Sequence, residues 1–156
     1  MKKYLLSAVL SIVVLVSCKK SSNTNSGNCA ITETNLQGSY KVTDATYQSP
    51  NSSPAIPEVD VYSNPLFSSY FPACKKDDIT SLNAGNSYVY SDAGVTCTPN
   101  DSTSGTWKLN ADTLIITSGG TSDSAIVSSF NCSTAIVVHG NVFSQGDQLK
   151  ITFTKQ

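Results

Sequence analysis

Residues 79–91, Ile79-Thr80-Ser81-Leu82-Asn83-Ala84-Gly85-Asn86-Ser87-Tyr88-Val89-Tyr90-Ser91, hold two short β-type runs around a turn. Asn83-Ala84-Gly85-Asn86 is a four-residue connection whose residues tolerate positive φ, the mark of a hairpin. Placing Leu82 opposite Ser87 and running the ladder outward brings Cys74 and Cys97 side by side. The hairpin therefore predicts both two antiparallel strands and a disulfide. Cys29 and Cys132 are then left to pair by exclusion.

The same grammar repeats along the chain. Ser39 to Thr43 alternates, and Ala45-Thr46-Tyr47 extends it. Gly105 to Leu109 and Thr113 to Thr117 flank Asn110-Ala111-Asp112. Ser124 to Ser128, Ala135 to His139 and Leu149 to Thr154 complete eight strands, the last with Leu149, Ile151 and Phe153 on one face. No long segment has helical periodicity. Short, evenly spaced strands with tight connections predict an all-β antiparallel barrel or sandwich, because closure removes exposed edges. Asp44 shares the face of Tyr40 and Val42, so it either meets a polar interior or a bulge shifts the face.

Residues 48–73 interrupt the pattern with five of the six prolines. Gln48 to Pro54 is loop by composition. Asn64-Pro65 reads as an N-cap followed by proline at the first helical position. Leu66, Phe67, Tyr70 and Phe71 then share one helical face, so a short helix or 3₁₀ lid over one barrel end is expected.

The N-terminus predicts export. Lys2 and Lys3 precede an apolar or small run from Tyr4 to Val16, too short to span a bilayer. Leu15-Val16-Ser17-Cys18 resembles the lipobox of bacterial lipoproteins, which implies residues 1–17 as a signal peptide and lipid on Cys18. Residues 18–30 read as a polar tether and 31–156 as the barrel domain. Past residue 17 there are eight lysines, no arginine and eleven acidic residues, a net charge near −3. That balance excludes a nucleic-acid partner.

In an exported protein four cysteines suit two disulfides. A zinc site needs closer cysteine spacing than this chain has. A reactive Cys74 beside Lys75 and Lys76 loses to the nearby partner Cys97. Catalysis has little support. His139 is the only histidine, at a strand end, and Glu33 and Glu58 are the only glutamates, both in connecting segments. No phosphate loop, calcium loop or cofactor motif occurs. Tyr40, Tyr88, Tyr90, Trp107 and Phe153 lie where strands could turn them inward, as lining for an amphipathic ligand or as filling for the barrel.

Leu36-Gln37-Gly38-Ser39-Tyr40-Lys41-Val42 resembles the opening L-x-G-x-W-x-V of lipocalin-like domains in Bacteroidetes lipoproteins. Cys74-Lys75-Lys76-Asp77-Asp78 resembles that family's C-x-K-D-D entry to the second strand. Tyr88, Cys97, Ser104-Gly105-Thr106-Trp107 and the ending Ile151-Thr152-Phe153-Thr154-Lys155 follow in order. Tyr40 replaces the usual tryptophan, Asn86 stands where the hairpin usually carries glycine, and Cys29 and Cys132 are extra. The resemblance implies an all-β, eight-stranded antiparallel up-and-down barrel of calycin type, without established catalytic residues. It further implies a lipid-anchored envelope protein. Acidic residues after the lipid cysteine mark surface export in some such proteins. The tether just after Cys18 has none, which favours an outer membrane location facing the periplasm. Asp101-Ser102-Thr103, Asp112-Thr113-Leu114 and Asp123-Ser124-Ala125 resemble O-glycan acceptor sites of such proteins at Ser102, Thr113 and Ser124. The expected function is binding of a small hydrophobic or amphipathic ligand by a monomer. The alternative is a filled barrel presenting loops 48–73 and 92–103 to a protein or glycan.

Overall fold

In the computed structural model, which describes residues 29–156, nine strands run in chain order. They are β1 (Gly38–Ser49), β2 (Ile56–Asp60), β3 (Ile79–Leu82), β4 (Ser87–Ser91), β5 (Thr103–Asn110), β6 (Thr113–Ser118), β7 (Thr121–Phe130), β8 (Thr134–Gly140) and β9 (Gln148–Lys155). All pairings are antiparallel, and β1 pairs with β9 from Tyr40↔Lys155 to Gln48↔Gln148. That seam closes β1 and β3–β9 into the expected eight-stranded barrel. The expected signal peptide, Cys18 and most of the expected tether lie outside the described residues. Cys29, expected at the tether's end, is fastened to the barrel: its amide donates to Phe130 O at 2.7 Å.

The strand missing from the sequence reading is β2. It pairs with β1 at Thr46↔Asp60 and Tyr47↔Val59, on the edge that β3 occupies lower down. Its side chains are mostly exposed, so it carries no inward apolar alternation to betray it. Glu58 thus lies on a strand instead of a connection, where it accepts from Thr46 Oγ1 and Lys150 Nζ, both at 2.7 Å. Glu33 likewise belongs to a one-turn helix, α1 (Glu33–Leu36), and its carboxylate accepts from Leu109 N.

Register decides which residues face inward. A bulge between Val42 and Asp44 turns Asp44 outward and keeps Ala45 and Tyr47 on the inner face. In the β3–β4 hairpin Leu82 pairs with Tyr88, one residue away from the Leu82–Ser87 pairing expected. The cause is the turn: Gly85 and Asn86 both adopt left-handed φ (72° and 63°), and Asn83 N closes on Ser87 O at 2.8 Å. The slip is consequential, because it puts Leu82 and Tyr88 together in the interior.

The core occupies the end where α1, the β3–β4 hairpin and the β7–β8 turn meet. Leu36, Tyr40, Leu82, Tyr88, Trp107, Val127 and Phe130 are buried there. Each fully buried aromatic or aliphatic side chain is worth about 1.5–3 kcal/mol over exposure. This end is the barrel's floor, and the β8–β9 loop and the insertion stand at its mouth.

Candidate ligand-binding cavities

The floor is built by hydrogen bonds as well as packing. Trp107 Nε1 donates to Asn83 O at 3.0 Å, and Asn86 Nδ2 donates to Trp107 O at 2.9 Å. Tyr40 Oη donates to Leu36 O at 2.7 Å, and burial pushes its pKa up to about 12. Lys155, an inward-facing residue at the end of β9, lies with Nζ 5.6 Å from the Tyr40 ring and 5.4 Å from the Phe130 ring. Its ammonium donates to Asn35 O at 2.8 Å, and burial lowers its pKa. An apolar stem with a satisfied head therefore closes the floor.

Above the floor lies an inner cavity of about 100 Å³. Leu114, Ile116, Val127 and Val137 form its apolar wall, with Tyr40 and Phe153 beside them. At its rim Asp123 and His139 face each other, His139 Nδ1 standing 3.7 Å from Asp123 Oδ2. Of the five aromatics read as lining, Tyr40 and Phe153 border this cavity. Trp107 and Tyr88 fill the floor. Tyr90 donates its hydroxyl to Asp78, and burial together with that carboxylate raises its pKa.

A second, larger cavity of about 260 Å³ opens at the mouth. Tyr47 and Leu149 contribute from the inner face of β1 and β9, Val61, Phe67, Tyr70 and Phe71 from the insertion, and Phe143 from the β8–β9 loop. Phe143 packs edge-on against Tyr47 at 5.5 Å and against Tyr70 at 5.4 Å. The expected 3₁₀ turn is present at Pro65–Phe67, capped by Asn64, whose side chain accepts from Leu66 N at 3.1 Å. The expected single apolar face is only partly right. The turn is too short to keep α-helical spacing, so Leu66 points to solvent, 86% exposed, while Phe67, Tyr70 and Phe71 reach the cavity.

Asp147 builds the loop that brings Phe143 to this cavity. Its buried carboxylate accepts from the amides of Val142 (2.6 Å), Phe143 (2.9 Å) and Ser144 (2.8 Å), and from Tyr47 Oη at 3.0 Å. Burial pushes the carboxyl pKa up, but those amides and the hydroxyl outweigh it and leave the pKa lowered. Neither Asp147 nor Phe143 stood out in the sequence. The one available signal was the apolar pair Val142-Phe143 inside an otherwise polar connection.

The Cys74–Asp78 segment proves to be a clamp on the β4–β5 loop. Cys74 is bonded to Cys97 and Cys29 to Cys132, each pair with Cα atoms 5.2 Å apart. Asp77 accepts from Val95 N at 2.7 Å, Asp78 accepts from Ala93 N at 3.1 Å, and Lys75 pairs with Asp101. Gly94 adopts φ +60°, and a Cβ there would overlap the Asp77 carboxylate, so any other residue would strain the backbone and push that carboxylate off Val95 N. Lys76 lies 4.7 Å from the Tyr62 ring, which in turn packs against Phe71 of the mouth cavity. Asp92, Cys97 and Asp101 cluster closely, but the sulfur of Cys97 is committed to its disulfide and Asp101 to Lys75. That cluster is a poor cation site.

The three candidate acceptor hydroxyls are not alike. Ser102 precedes β5 and its Oγ accepts from Asp92 N at 2.9 Å, Thr113 opens β6, and Ser124 is exposed within β7.

Residues 36–134, more than half of the 156-residue chain, match the family model described as Lipocalin-like domain. No curated protein and no solved structure matches the chain.

Proposed function

Because this chain belongs to the lipocalin-like domain family, we propose that it binds a small hydrophobic or amphipathic molecule in its barrel. The observation that carries the reading is incomplete filling. A closed barrel whose floor is packed solid nevertheless keeps an inner space of about 100 Å³ and a mouth space of about 260 Å³, both walled mainly by apolar side chains. Small-molecule sites are concave, mostly apolar and largely preformed, which is the character of both. In this reading the protein is a monomer without catalytic residues or a cofactor. It is held to the cell envelope by lipid on Cys18, on the periplasmic face of the outer membrane, and residues 19–28 serve as the tether. Leu15-Val16-Ser17-Cys18 and the polar run behind it support that placement.

A second reading has its own support. Leu66, Tyr70 and Phe143 are largely exposed at the mouth, so the same loops offer an apolar face to a protein or glycan partner. Native mass spectrometry of the full chain separates the two. The binding reading expects a small apolar molecule that co-purifies and is released by organic solvent, or stoichiometric uptake of an added hydrophobic probe. A bare protein that takes up no probe at any concentration would sink it.

A further inference from the structure

The two cavities differ enough to say where a ligand sits and what kind it is. Building on the binding reading, we propose that the mouth cavity, not the barrel interior, is the primary site, and that it takes an uncharged, flat aromatic molecule of about two rings.

Volume supplies the first argument. An apolar cavity of about 150 Å³ suffices for benzene. The inner cavity, at about 100 Å³, falls below that, while the mouth cavity, at about 260 Å³, exceeds it comfortably. The rings supply the second. Tyr47, Phe67, Tyr70, Phe71 and Phe143 surround the mouth space, and the Phe143 ring stands 66° to that of Tyr47 and 69° to that of Tyr70. Mutually tilted rings present both faces and edges, so a flat π-system can stack on one and meet the edge of another. An alkyl chain would use neither.

Polar bookkeeping supplies the third. The Tyr47 hydroxyl is committed to Asp147, and that carboxylate already accepts from three amides. Lys76 is held over Tyr62, behind Phe71, and Lys150 is paired with Glu58. Among the residues that line the mouth cavity none is charged, so an ionised ligand would lose its hydration without gaining a partner.

The test uses the full chain with 1-naphthylamine, a flat two-ring fluorophore, as the neutral aromatic probe and dodecanoate as the anionic aliphatic one. Fluorescence titration is run on the native protein, on Tyr70→Ser and Phe143→Ser, and on Ala125→Leu, which fills the inner cavity. Tyr70 and Phe143 are already 55% and 60% exposed, so those changes spare the core; circular dichroism checks that Ala125→Leu folds. The expected result is saturable naphthylamine binding, weakened at least tenfold by each mouth variant and unchanged by Ala125→Leu, with dodecanoate failing to displace it. If Ala125→Leu abolishes binding and the mouth variants leave it intact, the site is the barrel interior and the proposal is overturned while the general binding reading stands. Equal binding of dodecanoate overturns the ligand class. If neither probe binds, the binding reading falls as well.

Discussion

At the scale of single residues, Asp147 shows how one carboxylate can set the shape of a mouth. It gathers three consecutive amides and the Tyr47 hydroxyl, and in doing so positions Phe143. Its lowered pKa fixes the sign of a pH effect. A depressed folded-state pKa contributes stability that is present above the unfolded value, about 3.9, and lost as pH falls through the folded value. The urea midpoint of the native protein should therefore fall below about pH 4. Asp147→Asn should lower the midpoint at pH 7, because its amide group can accept fewer donors, and should flatten the acid limb. Glu58 and Asp60, whose pKa values are also lowered by their hydrogen bonds, keep part of that limb in the variant. An acid limb as steep in Asp147→Asn as in the native protein would contradict the assignment. None of this was legible in the sequence, where Asp147 is an aspartate after a glycine in a turn. Its importance comes from five donors, the Ser144 hydroxyl among them, that converge only once the chain has folded.

At the scale of elements, the β3–β4 hairpin was readable and its register was not. The turn residues announced themselves, but the choice between pairings differing by one residue depends on Gly85 and Asn86 both adopting positive φ. The disulfide prediction survived the slip, because Cys74 and Cys97 lie beyond the ladder in segments that can adjust. The insertion was harder. Asn64-Pro65 located its 3₁₀ turn, whereas β2 holds its place through backbone pairing with β1 and Lys150–Glu58 contact, neither of which leaves an apolar pattern. The two disulfides close loops of different length, with sequence separations of 23 and 103. On the chain-entropy account, replacing Cys74 and Cys97 by serine should cost about 3 kcal/mol and replacing Cys29 and Cys132 nearly 5. Urea unfolding of the two double variants measures both, and a larger loss for the shorter loop would refute the entropic ordering.

At the scale of the whole molecule, closure was foreseeable because a run of short antiparallel strands leaves two edges, and pairing the first strand with the last removes both. The contents of the barrel were not foreseeable, since an inward aromatic looks the same in sequence whether it lines a cavity or fills one. Tyr40 and Trp107 illustrate the point: both are buried, yet only Tyr40 borders a space. Closure also makes stability uneven. Hydrogen exchange should be slowest for amides of the β1–β9 and β8–β9 ladders and much faster for β2, whose side chains are mostly exposed. Protection of β2 equal to that of β1 would show that the insertion is integral to the barrel wall. Finally, the Cys29–Cys132 bond brings the chain into the barrel at its floor, beside the β7–β8 turn, while Phe143 and Tyr70 stand at the other end. Whatever grips the N-terminus grips the molecule by its base. From residue 18 to residue 29 a chain can reach at most about 40 Å, roughly the length of a twelve-residue strand such as β1. If lipid on Cys18 holds the chain, as proposed, the attachment lies on the floor side of the barrel and the mouth cavity at the opposite end.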